Sequence, residues 1–293
     1  LDLALRRGQQ LRGSARGTLL GEPVKLSLRG GTLPEMLRKL ATPIEIEIAA
    51  AQAKLRIEGT LAPPEATRET ALSFAFQARR TGDLARWLGV APESKLPLAL
   101  HGRVRIASDA WTLEQTEVKL GRSELTLDAR RSRVGDRPAI VASVRSPLID
   151  VPELATLRAS TGRSSDVPLF PDALDLADVD LDLALQHVLL GRTDLVDVGF
   201  VARVREGRLL PSALTGKVAG NTFAGLVALD LRSEPPEARL DLSTGEIDVG
   251  ALLRDIGAAE DIDGRVGKLQ LILRGRGNTL NELARLSAFE ARV

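Results

Sequence analysis

The stretch DVDLDLAL, residues 178–185, sets Val179, Leu181, Leu183 and Leu185 on one side of an extended chain and Asp178, Asp180 and Asp182 on the other. A repeat of two residues is the period of a β-strand, with one face apolar and the other in water. The same alternation runs through IEIEI (44–48), AKLRIEG (53–59), LSFAFQA (72–78), LPLALHGRVRI (96–106) and SELTLDA (123–129). It returns in GLVALDLR (225–232), ARLDLS (238–243) and KLQLILR (268–274). Glycine and proline punctuate these runs in LAPPEA (61–66), VGDRPA (134–139), REGRLLP (205–211) and SEPPEA (233–238), where turns are expected. The pattern predicts a mainly β protein, an antiparallel sheet with one wet face.

Five short runs break the alternation with helical spacing: TLPEMLRKL (32–40), TGDLARWLG (81–89), DVPELATL (150–157), DVGALLRDIG (248–257) and TLNELARL (279–286). In two of them an arginine-glycine break leads into Thr-x-x-Glu, at Thr32 with Glu35 and at Thr279 with Glu282, 247 residues apart (279 − 32). This is the capping box, in which hydroxyl and carboxylate each satisfy a free backbone N–H. Helices of two or three turns are unstable alone, so each is expected to dock on the sheet. The repeated unit is then a set of strands ended by a capped helix, at irregular spacing. Polar RASTGRSSDVPLFPD (158–172) lacks alternation, which suggests modules at 1–160 and 174–293 with a loop or linker at 161–173.

The 293 residues suffice for a sizeable interior, and no apolar run approaches the length of a membrane span. The first residue is Leu1 rather than Met, and the chain is expected to be part of a longer one. With no cysteine, disulfides, thiol catalysis and cysteine-based zinc sites are excluded. A net charge of +1 with both signs interspersed, and only 3% aromatic residues, argues against a nucleic-acid funnel.

Residues that carry chemistry elsewhere read here as structural. RGRGNTL (274–280) has two glycines of a dinucleotide loop but Leu280 in the third place and no parallel crossover unit around it. Asp178, Asp180 and Asp182 have the spacing of the first calcium-loop ligands, yet Leu183 and Leu189 stand where that loop needs Gly and Glu. His101 and His187 lie far apart in strand-like segments without partners for a triad or metal site. Trp87 and Trp111 fall within apolar periodicity, where packing is the simpler role than anchoring to a membrane or partner. There is no nucleophile elbow, zincin helix or P-loop, so no enzyme, cofactor or metal is expected.

Two longer stretches, LGRSELTLDARRSRVGDRPAIVASVRSPLIDVPEL (120–154) and the run from DVDLDLALQHVLLG (178–191) through AGNTFAGLVALDL, DVGALLRDIG and DGRVGKLQLILRGRGNTLNELARL, resemble the AsmA family of bacterial envelope proteins. The resemblance covers nearly the whole chain. It implies an elongated, curled β-sheet forming an open groove with an apolar hollow side. It further implies a periplasmic location, an inner-membrane anchor lying outside these residues, and a part in outer-membrane biogenesis and phospholipid movement.

In such a groove, residues such as Leu55, Ile57, Phe74, Phe76, Leu181, Leu183, Leu229, Leu231, Leu271 and Leu273 would line the path of acyl chains. Roughly fifteen strands at about 4.8 Å spacing would give a sheet on the order of 70 Å. Alternation alone does not separate this from a sheet closed on a dry core, since both need one apolar face. Two further readings stay open: a scaffold for outer-membrane protein assembly that works through its sheet edges, and a hydrolase of envelope lipids or glycans, for which no nucleophile or carboxylate pair is evident.

Overall fold

The computed structural model describes residues 2–4, 10–19, 22–32, 34–35, 38, 40–50, 52–63, 69–81, 95–134, 137–159, 177–218, 220–248, 264–277 and 288–292. Strand accounts for 77% of the structure and helix for almost none, as the alternation requires. The chain divides into two compact units, one of residues 1–121 with 126–132 and one of residues 122–125 with 133–293.

The first unit is an antiparallel ladder in chain order: β1 (Asp2–Ala4), β2 (Gln10–Leu19), β3 (Glu22–Thr32), β4 (Thr42–Ala50), β5 (Ala53–Leu61), β6 (Thr70–Ala78), β7 (Leu98–Ile106) and β8 (Trp111–Leu120). The division between units falls within the next strand, β9 (Ser123–Val134). The second unit starts its ladder at β10 (Arg137–Asp150), followed by the nine-residue helix α1 (Val151–Ala159). It continues through β11 (Asp178–Leu190), β12 (Thr193–Arg205), β13 (Arg208–Val218), β14 (Asn221–Asp230) and β15 (Glu237–Thr244), then β18 (Leu269–Arg276) and β19 (Ala288–Arg292). Two-residue β16 (Ile247–Asp248) and β17 (Arg265–Val266) pair separately.

One pairing departs from the sequence reading. The pair β10–β11 is parallel, over ten positions from Ala139↔Asp178 to Asp150↔Leu189, whereas the ladders given above are antiparallel. Parallel neighbours need a crossover rather than a hairpin. The helix α1 opens the connection from β10 to β11, and residues 160–176 lie outside the described residues. The compact units divide within β9.

Of the five helical runs, the structure describes α1 in full, and its start follows the capping rule. Asp150 Oδ1 accepts the Glu153 backbone N–H at 3.0 Å, and its other oxygen lies 2.9 Å from the Arg122 guanidinium. The Glu153 carboxylate in turn accepts the Arg122 backbone N–H at 2.6 Å, and Ser123 Oγ accepts the Asp150 N–H at 2.9 Å. One turn forms after Thr32, with the Arg38 N–H donating to Pro34 O at 3.0 Å. Residues 82–94, 249–263 and 278–287, which carry the other three runs and the pair Thr279 and Glu282, lie outside the described residues.

Candidate functional site

Residues directly opposite in a ladder point to the same side, so the registers show what each face carries. In the first unit one transverse row reads Leu26, Ile48, Leu55, Phe76, Leu100 and Val118. The next reads Leu28, Ile46, Ile57, Phe74 and Gly102, and a third Ile44, Gly59, Leu72, Val104 and Leu113. The opposite face is charged: Glu45, Glu47, Lys54, Arg56 and Glu58 form a lattice with Arg56 to Glu58 at 2.8 Å and Lys54 to Glu47 at 2.7 Å.

The second unit repeats this design. Val144, Leu183, Phe200, Leu214, Leu242 and Leu271 share one row, in which Gly225 stands between Leu214 and Leu242. Val227, Leu240 and Leu273 share another, and Val179, Val204, Leu209, Leu229 and Ala238 a third. Leu55, Ile57, Phe74 and Phe76 therefore lie on the apolar face of one unit, and Leu181, Leu183, Leu229, Leu271 and Leu273 on that of the other. Leu231 lies one residue past β14, in a turn where its N–H donates to Gly207 O at 2.9 Å.

These faces are not closed over. Leu55, Ile57, Phe74, Leu181, Leu183, Leu271 and Leu273 are only half-buried; Phe76 and Leu229 are buried. Among the described residues eleven hydrophobic side chains are buried, and five of those are alanines. Two concavities meet the ends of the apolar rows. One, of about 660 Å³, is lined by Ala50, Ala53, Ala78 and Leu98 together with Lys54 and Lys119. The other, of about 630 Å³, is lined by Leu209, Leu229, Ala238 and Gly275 beneath Arg208, Arg239, Arg274 and Arg276.

The residues read as chemically idle each have an ordinary place. Asp178, Asp180 and Asp182 face three arginines, with Arg137 at 3.5 Å, Arg205 at 2.6 Å and Arg145 at 2.7 Å respectively. No group of metal-ligating side chains occurs among the described residues. His101 lies 3.4 Å from Glu117 and His187 2.9 Å from Asp194, all four on the wet face and about half exposed. Gly275 is within β18, opposite Ala238, and Gly277 extends the ladder by donating to Pro236 O at 2.8 Å, so RGRG is strand rather than phosphate loop. Trp111 is half-buried opposite Ile106 at the open end of β8; Trp87 lies outside the described residues.

Thr32 and Glu35 form the reciprocal box: the Thr32 N–H donates to Glu35 Oε2 at 2.7 Å and the Glu35 N–H to Thr32 Oγ1 at 3.4 Å. The Thr32 N–H holds the Glu35 carboxyl below its ordinary pKa. Hydrogen bonds from Lys54, Arg145 and Lys217 do the same for Glu47, Asp182 and Asp197. A carboxylate with a depressed folded-state pKa adds stability that is complete above its unfolded value and lost as pH falls through the folded one. Urea midpoints are therefore expected to hold from neutrality down to about pH 5 and then to fall. The Asp182→Asn and Glu47→Gln double variant should show a shallower acid limb; an unchanged limb would count against these pairs.

A polar repeat escaped the pattern reading. Leu-Gly-Arg-Ser-Glu-Leu (120–125) and Leu-Gly-Arg-Thr-Asp-Leu (190–195) each form a hairpin turn with glycine at positive φ, 59° at Gly121 and 80° at Gly191. Each is followed by a buried hydroxyl residue, Ser123 at 5% and Thr193 at 3% exposure. The signal was available as a six-residue identity in type. Comparison with models of known protein families, with curated proteins and with solved structures gives no match.

Proposed function

We propose that this chain is a non-enzymatic lipid-binding protein of the bacterial envelope that shields phospholipid acyl chains against the apolar faces of its sheet. The observation that carries this reading is the pairing of continuous Leu, Ile, Val and Phe rows with their only partial burial along both apolar faces. An acyl chain of sixteen carbons exposed to water costs about 12 kcal/mol, at about 0.8 kcal/mol per methylene. A face of branched aliphatic side chains offers the same chain an apolar contact along its length, while the charged lattice behind keeps the sheet in solution. The resemblance to the AsmA family supports a place in the periplasm, held to the inner membrane by a segment outside these residues, in lipid transport and outer-membrane biogenesis.

The test is direct. Protein purified from bacterial membranes without detergent exchange should carry phospholipid in native mass spectrometry. Photo-crosslinkers at Leu183 and Leu271 should capture it, and one at Val201, on the opposite face and 51% exposed, should not. Lipid-free protein together with blank crosslinks at Leu183 and Leu271 overturns the reading.

A further inference from the structure

We propose that the wet face of the β2–β3 hairpin binds a phosphate group. The two strands carry the same pattern, Arg12-Gly-Ser14-Ala-Arg16 and Lys25-Leu-Ser27-Leu-Arg29. Their antiparallel register superposes the two copies, with Arg12 opposite Arg29, Ser14 opposite Ser27 and Arg16 opposite Lys25. All six side chains are exposed on one face. Four cations thus surround two adjacent hydroxyls.

This arrangement is unfavourable without a counter-charge. Like charges directly opposite in an antiparallel ladder destabilise the pair; in the neighbouring ladders Arg29 faces Glu45 and Glu47 faces Arg56, and the like pair Glu45 with Glu58 is bridged by Arg56 at 3.3 and 2.8 Å. Neither strand supplies an acid between Gln10 and Leu19 or between Pro23 and Thr32, and the flanking strands set three acids against the four cations, Asp2 opposite Ser14, Glu47 opposite Ser27 and Glu45 opposite Arg29. Arg29 has a long contact to Glu45 at 3.5 Å, and Arg12, Arg16 and Lys25 have no ion-pair partner among the described residues. A concavity of about 280 Å³ lies here, lined by Ser14, Arg16, Lys25, Ser27 and Glu47. The one carboxylate in that lining is engaged by Lys54 at 2.7 Å.

A tetrahedral oxyanion matches what remains. Guanidinium groups give paired N–H donors to phosphate oxygens, and serine hydroxyls supply short donors between them. The phosphate can belong to a lipid headgroup or be free, and the experiment separates the two. Because the site is on the face opposite the apolar rows, it stands or falls independently of acyl-chain binding.

The full chain is titrated at low ionic strength with inorganic phosphate by calorimetry, and sedimented with phosphatidylcholine vesicles with and without phosphatidylglycerol. Heat of binding with phosphate identifies a free ligand; sedimentation that requires phosphatidylglycerol, without heat from phosphate, identifies the headgroup. In whichever arm responds, R12Q with R16Q should weaken binding at least tenfold, and S14A with S27A should weaken it severalfold with all four charges kept. R12Q alone should also raise the ligand-free melting temperature by relieving the Arg12–Arg29 opposition. The proposal is overturned by any of three results: no response in either arm, a response that these variants leave unchanged, or an equal response to chloride at matched ionic strength.

Discussion

Replacing Phe223 by alanine is expected to cost about 3–5 kcal/mol, the range for removing a buried aromatic side chain. Phe223 is 8% exposed and packs with Val188 and Val198 against Leu185, Leu214 and Leu242. Its ring covers Gly216, its register partner on β13, where an added Cβ would lie 2.6 Å from Cζ of that ring. Gly216→Ala alone is therefore an overpacking change, expected to cost about 1–3 kcal/mol. The two changes should not add. In the Phe223→Leu and Gly216→Ala double variant the new methyl occupies space the ring gave up, so the double should be more stable than the sum of its singles predicts. Urea unfolding followed by far-UV circular dichroism measures all four corners, and strict additivity would show that ring and glycine are not coupled. The first unit uses the same device, with Phe74 opposite Gly102, whose added Cβ would meet the Phe74 ring at 3.0 Å.

That device explains why the apolar face was legible in the sequence and its detail was not. Alternation fixes which residues share a face because side chains in a strand have a period of two, and DVDLDLAL and IEIEI left no second choice. Phe74, Phe76, Phe200 and Phe223 all fall on these faces, where composition alone would have put them anywhere. What periodicity misses is a change of phase. Asp197 adopts φ of 53° at a break in the β12–β13 register, and Leu195 and Val198, three apart, both end on the apolar side. Gln115 does the same in β8 at φ of 49°, held by its N–H donating to Asp128 at 2.7 Å. Aspartate and glutamine at positive φ carry no local mark as clear as glycine, so a bulge that shifts one strand by one residue is hidden from pattern reading.

Long-range pairing was hidden for a different reason. The parallel contact of β10 with β11 depends on where two strands meet after a crossover, and both strands satisfy the same alternation in either direction. The capping residues were more accessible, since Thr32 with Glu35 and Asp150 with Glu153 are local signals at fixed spacing. The second role of Asp150, as partner of Arg122, was not, because that contact joins residues 28 apart (150 − 122) through a turn. The charged lattice was readable as a wet face and unreadable as pairs: which acid meets which arginine follows from register. The same register brings Arg12 against Arg29, an opposition no single-strand pattern displays.

Leu183→Asp separates an open lipid-bearing face from a closed core by two measurements that move in opposite senses. Leu183 is half-buried between Val144 and Phe200 in the apolar row that runs to Leu271. If that row faced a dry interior, an unpaired carboxylate there would cost about 3–5 kcal/mol of stability, and much of the chain would fail to fold. On an uncovered face the carboxylate stays hydrated, and the expected loss is about 1 kcal/mol, the ordinary cost of a point change. Lipid binding should respond the other way, because an acyl chain lying on the row must strip water from that charge, and an unpaired charge in apolar surroundings is strongly disfavoured. Phospholipid occupancy by native mass spectrometry should fall on the order of a hundredfold, equivalent to about 2.7 kcal/mol. Val201→Asp, on the opposite face and 51% exposed, should change neither measurement. A large loss of stability for Leu183→Asp with unaltered lipid occupancy in the folded fraction would place the acyl chains somewhere other than these rows.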